Sequence, residues 1–417
     1  MWIIRGARQV GKTWLMKEFG NKYFEKCAYI NFDNNETIDR IFEGDLNTDR
    51  IIEELTIESG VKIQPENTLI IFDEIQETPK ALKALKYFCE NAREYHIVSA
   101  GSLLGVAMHS GTSFPVGKVE YLDLAPLSFF EFLDAMEEKE LLKILINNDY
   151  EKIHVFESKF KKLLKIYFYV GGMPEVVSAF IENRDWEEVR NIQKTILDNY
   201  EQDFSKHAPN NIVPRIRQLW NNIPTQLAKE NKKFIYGLVS NGARAREYEL
   251  ALSWLIDCGL VYQIGRVNTA KMPLSAYQDF SAFKLYLLDV GLLSAMAGID
   301  AKTLLEGNKI FTEFKGSLTE QYVLCQLKQC TNLNVFYWSS NKGIAELDFI
   351  TQIESNIIPI EVKAKENLQA KSLKSFVQKY NTKINIRTSM SDYREEDWLI
   401  NIPLYCMGNI ETILKKD

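Results

Sequence analysis

Three groups of residues in this sequence have the types and spacings that chemistry requires. The first is Gly6-Ala7-Arg8-Gln9-Val10-Gly11-Lys12-Thr13, a full match to G-x-x-x-x-G-K-[ST]. Its glycines let the backbone curl until successive N–H groups point inward around an anion. Lys12 can then reach the β- and γ-phosphates of a nucleotide, and the Thr13 hydroxyl can ligate Mg2+. The second group is Asp73-Glu74, which ends an apolar run. Asp73 is placed to hold Mg2+ through water, and Glu74 to orient and deprotonate the attacking water. The third lies far downstream. Asp348 is followed, after twelve residues, by Glu361-x-Lys363, with Glu320 on the preceding helical stretch. Three carboxylates around one Mg2+, beside a lysine that positions water, would suit attack on a phosphodiester.

The surrounding sequence supplies elements for each group. Trp2–Ile4 reads as a buried parallel strand, and Trp14–Phe19 continues the loop into a helix whose positive end faces the same anion. Ala28–Phe32 is a second strand. Asp33–Glu58 is acidic and helical, read as a solvated outer face. Thr68–Phe72 is the strand that delivers Asp73 and Glu74. His96–Ala100 is the next strand and leads into Gly101-Ser102. Ser102, the small polar residue at that strand's tip, is the candidate sensor of the γ-phosphate; the alternative is that Gly101-Ser102 caps the following helix. Strands alternating with helices predict a parallel sheet with ATP at the carboxyl ends of its strands.

A chain of 417 residues exceeds one ordinary core, so roughly two to four domains are expected. Hydrophobic residues make up 46% and charged residues 25%, and the net charge is −6, so any nucleic-acid surface must be local. The six cysteines form no C-x-x-C pair and the four histidines are scattered, which argues against zinc and for reduced thiols. The longest apolar run, Leu285–Ile299, is broken by Asp289 and falls short of the ~20 residues that span a bilayer. No signal peptide is visible, so a cytoplasmic protein with no membrane partner is expected. A parallel strand ordinarily has chain before it, which leads to the expectation that a segment precedes Met1.

GARQVGKT, LIIFDE, SAGSLLG and LDLAPLSFFEFL together resemble a prokaryotic family of AAA-superfamily P-loop ATPases. Its members carry a C-terminal domain of unknown function with a restriction-endonuclease-like core. The resemblance implies an α/β fold in four parts. These are a P-loop parallel-sheet ATPase core (1–135), a helical lid (136–200), a winged helix-turn-helix (201–300) and a restriction-endonuclease-like α/β domain (301–417). Some relatives have an Arg near the position of Lys118. If that Arg serves a neighbouring subunit's phosphate, no finger is assigned here, because Lys cannot make the bidentate fork of Arg. Monomer and homo-oligomeric ring both stay open.

The middle of the chain reads as helices from Glu131 to Tyr200, interrupted by a turn at Tyr169–Glu175 that the resemblance places in the lid. Further on, Thr225–Lys229 and Arg244–Cys258 read as helices, Gly259 as a stop, and Leu260–Ile264 as a strand, the order of a winged helix. Arg244 and Arg246 face DNA phosphate, or the nucleotide, or only water. Ser281–Leu293, another family signature, reads as a strand entering a buried helix. In the last third, Gly316–Gln329 is a helix carrying Glu320, and Ala345–Ile350 and Ile357–Lys363 form a hairpin around Glu354-Ser355-Asn356. Alternate strand residues share a face, so Glu361 and Lys363 project together. The expected reading is a nuclease-like fold, with cleavage itself undecided. Lys363, Lys365, Lys371, Lys374, Lys379, Lys383 and Arg387 make either a stripe for a DNA backbone or a solvated helix face.

Overall fold

The computed structural model describes residues 1–102, 104–105, 117–229, 232–306, 309–340, 345–364 and 370–414. Lys365 lies outside them. Contacts divide the chain into two compact units, Met1–Ala125 with Ser253–Leu260, and Pro126–Leu252 with Val261–Asp417.

The first unit runs β1 (Trp2–Arg5), α1 (Lys12–Tyr23), β2 (Lys26–Asn31), α2 (Glu36–Glu43), α3 (Thr48–Ser59), β3 (Thr68–Asp73), α4 (Pro79–Asn91), β4 (His96–Gly101) and β5 (Glu120–Asp123). Every strand pair is parallel, in the order β2-β3-β4-β1-β5. β3 is buried from end to end because both faces of the sheet are covered, which is why it reads as a continuous apolar run. Ile70 and Phe72 pack with Ile51, Leu55, Leu82 and Leu85 on one face. Leu69 and Ile71 pack with Ile4 and Met16 on the other. The acidic stretch after β2 is two helices, each started by an asparagine: Asn35 accepts from the Ile38 N–H and Asn47 from the Arg50 N–H. Only one side of these helices is solvated, since Ile38, Phe42, Ile51 and Leu55 are in the core. β4 sits between β1 and β3, so the ends of these three strands lie side by side.

The second unit holds an eight-stranded mixed sheet. Its strands are β6 (Val261–Val267), β7 (Gln278–Leu287), β8 (Phe336–Ser339), β9 (Glu346–Ile353), β10 (Asn356–Val362), β11 (Ile386–Ser389), β12 (Arg394–Glu396) and β13 (Leu399–Pro403). The order is β12-β13-β11-β10-β9-β8-β6-β7. β6 pairs antiparallel with β7 and parallel with β8. The strand pair read as part of a winged helix therefore belongs to the same sheet as the C-terminal strands, and the sheet has no break at residue 300. The helix expected over Thr225–Lys229 is the end of a longer one, Val213–Leu227.

Three sequence signatures meet in this unit at one buried knot. The Leu127 N–H donates to the Gly172 carbonyl at 2.7 Å. Tyr167 donates its hydroxyl to the Leu127 carbonyl at 2.6 Å. The Gly172 N–H donates at 2.7 Å to Asp289, which also caps the helix Val290–Met296 by accepting from the Leu292 N–H at 2.8 Å. A side chain at Gly172 would stand 2.0 Å from the Leu127 carbonyl oxygen, so glycine is required there. Burial pushes the Asp289 carboxyl up to about 6, against the pull of the N–H groups it accepts. The turn at Tyr169–Glu175 and the Ser281–Leu293 signature are thus packing devices.

Candidate functional site

Between β1 and α1 the loop turns tightly, with Gln9 at φ 64° and Gly11 at φ 97°. At Gly6 a Cβ would stand 2.2 Å from the Leu124 carbonyl oxygen, so the loop can pass there only without a side chain. Helix α1 begins at Lys12, whose ammonium is buried and folded back over the loop. It donates to the Gly6 carbonyl at 2.9 Å and the Ala7 carbonyl at 2.7 Å. Burial lowers its pKa to about 8, although Glu74 and Asp73 pull the other way. At neutral pH the group is still mostly an ammonium.

The strand ends next to the loop bring the second motif to it. Asp73 closes β3, and its Oδ2 accepts from the Thr13 hydroxyl at 2.6 Å and the Tyr29 hydroxyl at 2.9 Å. A carboxylate oxygen and a hydroxyl oxygen side by side are donors of the kind Mg2+ takes, with its remaining positions left to water and phosphate. Thr13 and Asp73 fit that ion. Glu74 follows in a left-handed conformation, φ 52°. Its carboxylate accepts from Gln76 Nε2 at 2.7 Å, from the Ser102 N–H at 3.2 Å and from the Ser102 hydroxyl at 3.1 Å. Burial raises its proton affinity, but Gln76, Lys12, the Ser102 N–H and Arg8 together hold it below the usual carboxylate range. Arg8 reaches across from the loop, with Nε 3.4 Å from Ser102 Oγ. Lys118 is 3.3 Å from Glu90.

Three residues here escaped sequence reasoning: Tyr29, Gln76 and the reach of Arg8. Gln76 lies two positions beyond Glu74, which was a usable signal. Tyr29 belongs to a different strand and gave none.

The C-terminal carboxylates lie in the second unit. Asp348 lies on β9 and Glu361 on the antiparallel neighbour β10, and the Val362 N–H donates to Asp348 at 2.7 Å. Glu361 pairs with Lys363 at 2.6 Å, and its other oxygen is buried without a partner. Glu320 is buried in the helix Lys309–Cys330, where it pairs with Lys232 and accepts from the Tyr286 hydroxyl at 3.2 Å. Lys284, 1% exposed, pairs with Glu346 at 2.6 Å. Burial would raise Glu320, but Lys232 and Lys284 hold it below the usual range. Burial, then the negative Glu320, push Asp348 up to about 7. Lys284 is held well above its ordinary value by Glu320, Glu346 and Asp348 despite burial.

Among the described residues no group of three or more His, Cys, Asp and Glu is placed to hold a metal ion. Glu320, Asp348 and Glu361 are not among such groups. Lys232 brings a positive charge to Glu320 and Lys284 to Glu346.

The expected basic stripe is also shorter. Lys371, Lys374, Lys379 and Lys383 are exposed, but Arg387 is 2% exposed and donates to Asn401 at 2.8 Å. Arg244 and Arg246 are exposed at the start of the helix Ala245–Asp257. Among the described residues no helix is long and apolar enough to cross a membrane, and all six cysteines are free thiols.

Comparison with known proteins covers the chain in pieces. Residues 161–303 match a domain of unknown function (DUF8612), and residues 315–407 match another (DUF4143). No curated protein matches. Among solved structures, a Walker-type ATPase of Pyrococcus abyssi, PABY2304, is 13% identical, with 71% of this chain and 90% of that chain covered at a TM-score of 0.42. The Orc1 protein of Aeropyrum pernix, solved in complex with DNA, is 13% identical over 71% and 86% at a TM-score of 0.28. Cdc6p of Pyrobaculum aerophilum is 11% identical over 73% and 88% at 0.24. These likenesses are loose. The N-terminal match is of another kind, because it coincides with the phosphate loop, the parallel sheet and the strand-end carboxylates: residues 1–133 match the AAA domain, and this part of the chain is an AAA-type P-loop domain.

Proposed function

We propose that this chain binds and hydrolyses ATP, and that its nucleotide state governs a C-terminal region that engages DNA without cutting it. The observation that carries the first half is the convergence of Lys12, the Thr13–Asp73 pair and Glu74 at adjoining strand ends. Phosphate oxygens replace the Gly6 and Ala7 carbonyls as acceptors for Lys12, and the loop N–H groups and the start of α1 take the rest of the charge. Thr13 and Asp73 would hold Mg2+, which would supply neutralising charge on the phosphates. Glu74, kept anionic, takes a proton from the attacking water, and Ser102 links that base to the γ-phosphate end of the site.

The DNA half rests on exposed Arg244, Arg246, Lys371, Lys374, Lys379 and Lys383 in a chain whose overall charge is negative. The absence of cleavage rests on lysines, rather than a shared metal, facing Glu320 and Glu346. Steady-state hydrolysis tests the first half: Lys12→Ala abolishes nucleotide binding, and Glu74→Gln keeps ATP bound but stalls turnover. A Glu74→Gln protein that hydrolyses at the parental rate removes the base. For the second half, DNA binding weakens as salt rises, and supercoiled DNA stays intact with Mg2+ or Mn2+. Nicking by the parent that is lost in Asp348→Ala would restore the nuclease reading.

A further inference from the structure

We infer that Arg8 is a catalytic residue, an arginine that the phosphate loop supplies to its own γ-phosphate. The inference rests on the ATPase reading above and names a further group for the same reaction. Arg8 sits in the loop between β1 and α1, yet its side chain turns back to the end of β4, where Nε stands 3.4 Å from Ser102 Oγ. The same hydroxyl donates to Glu74 at 3.1 Å. One short chain of polar contacts thus joins the loop's guanidinium to the base. Arg8 also acts electrically on both neighbours: it contributes to lowering Lys12, behind burial, and to lowering Glu74.

The geometry gives this cation a distinct task. Lys12 is drawn into the loop by the Gly6 and Ala7 carbonyls, whereas Arg8 bridges the loop to the end of β4. In hydrolysis a water oxygen bonds to the γ-phosphorus while the bond to the β–γ bridging oxygen breaks. The products are ADP and inorganic phosphate, and the water's proton goes to Glu74. Negative charge builds on the equatorial and leaving oxygens, and a planar fork of N–H donors beside them stabilises that state more than the ground state. Lys118 is engaged with Glu90 at 3.3 Å.

The test uses the full chain with Mg2+ and ATP, and ADP as the affinity probe. Arg8→Ala lowers kcat by about 10³-fold, the scale measured for arginines acting in cis or in trans. ADP affinity stays within about threefold, because the interaction belongs to the transition state. Arg8→Lys recovers less than about a tenth of the lost rate, since a point charge lacks the fork. The parental rate per molecule is unchanged over a wide range of protein concentration. The inference is overturned by a kcat loss smaller than about 30-fold in Arg8→Ala, which is too little for such an arginine. It is equally overturned by a matching loss of ADP affinity, or by a parental rate per molecule that climbs with concentration. A parent that hydrolyses no ATP, or a Glu74→Gln variant at full rate, refutes the ATPase reading instead. The two failures are therefore separable.

Discussion

Replacing Lys284 with Met tests whether lysines stand in for a metal in the second unit. Lys284 is 1% exposed, 2.6 Å from Glu346, and its charge is also felt by Glu320 and Asp348. Met nearly conserves the volume and removes only the charge. Breaking a buried pair from one side costs about 3–5 kcal/mol, because the remaining carboxylates keep their desolvation penalty without compensation. Glu346 is partly open to solvent, which puts the expectation near about 3 kcal/mol. At 1.36 kcal/mol per tenfold, that is roughly a 100-fold rise in local opening. Amide hydrogen exchange across β9 and β10 reads this directly and avoids treating a two-unit chain as two-state. The paired variant Lys284→Met with Glu346→Gln recovers most of the loss, since both charges leave together. The deficit also depends on pH. Asp348 is pushed up to about 7, so the folded chain holds a proton that the unfolded chain releases near pH 4, and stability falls as pH rises across that window. Losing Lys284 raises Asp348 further, so the variant is most impaired above about pH 7 and recovers in mild acid. A change in exchange below about tenfold at pH 8 would refute the compensating role.

Other outcomes follow from the same reasoning. Lys12 is lowered to about 8 by burial, so the free protein loses this ammonium as pH rises through that value, well before an ordinary lysine. ATP affinity titrated from about pH 7 to 9.5 should weaken at the upper end, and a flat profile contradicts the assignment. Asp289→Ala strands the buried N–H groups of Gly172 and Leu292, at about 1–3 kcal/mol each, so thermal unfolding should fall by several degrees. Asp289→Asn, which keeps one acceptor oxygen, should lose less, and equal losses in the two variants refute the capping role. Mn2+ titrated without nucleotide and followed by electron paramagnetic resonance should show no site that depends on Glu320 or Asp348. A site present in the parent and lost in Glu320→Gln would reverse the reading of that cluster.

What the sequence displayed depended on how local each signal was. The phosphate loop needs eight consecutive residues and two flanking elements, and all of these are in order within the first 23 positions. β3 announced itself because a parallel strand covered on both faces must be apolar throughout. The hairpin β9–β10 was readable too, since period-two alternation and a short turn are local properties. Counter-charges are not local. Glu320, Asp348 and Glu361 have the spacing of metal ligands, but whether a cation or an ammonium meets them depends on Lys232 and Lys284. Lys232 comes from a segment that carried no motif of its own. Lys284 lies inside an apolar strand, where the signature Ser281–Leu293 suggested only core. A lysine sharing a strand face with buried Ala282 and Tyr286 must neutralise something within reach of its chain. That rule needs only the order of residues along the strand. A strand lysine between core residues is evidence about the carboxylates of its neighbours, whatever their spacing resembles.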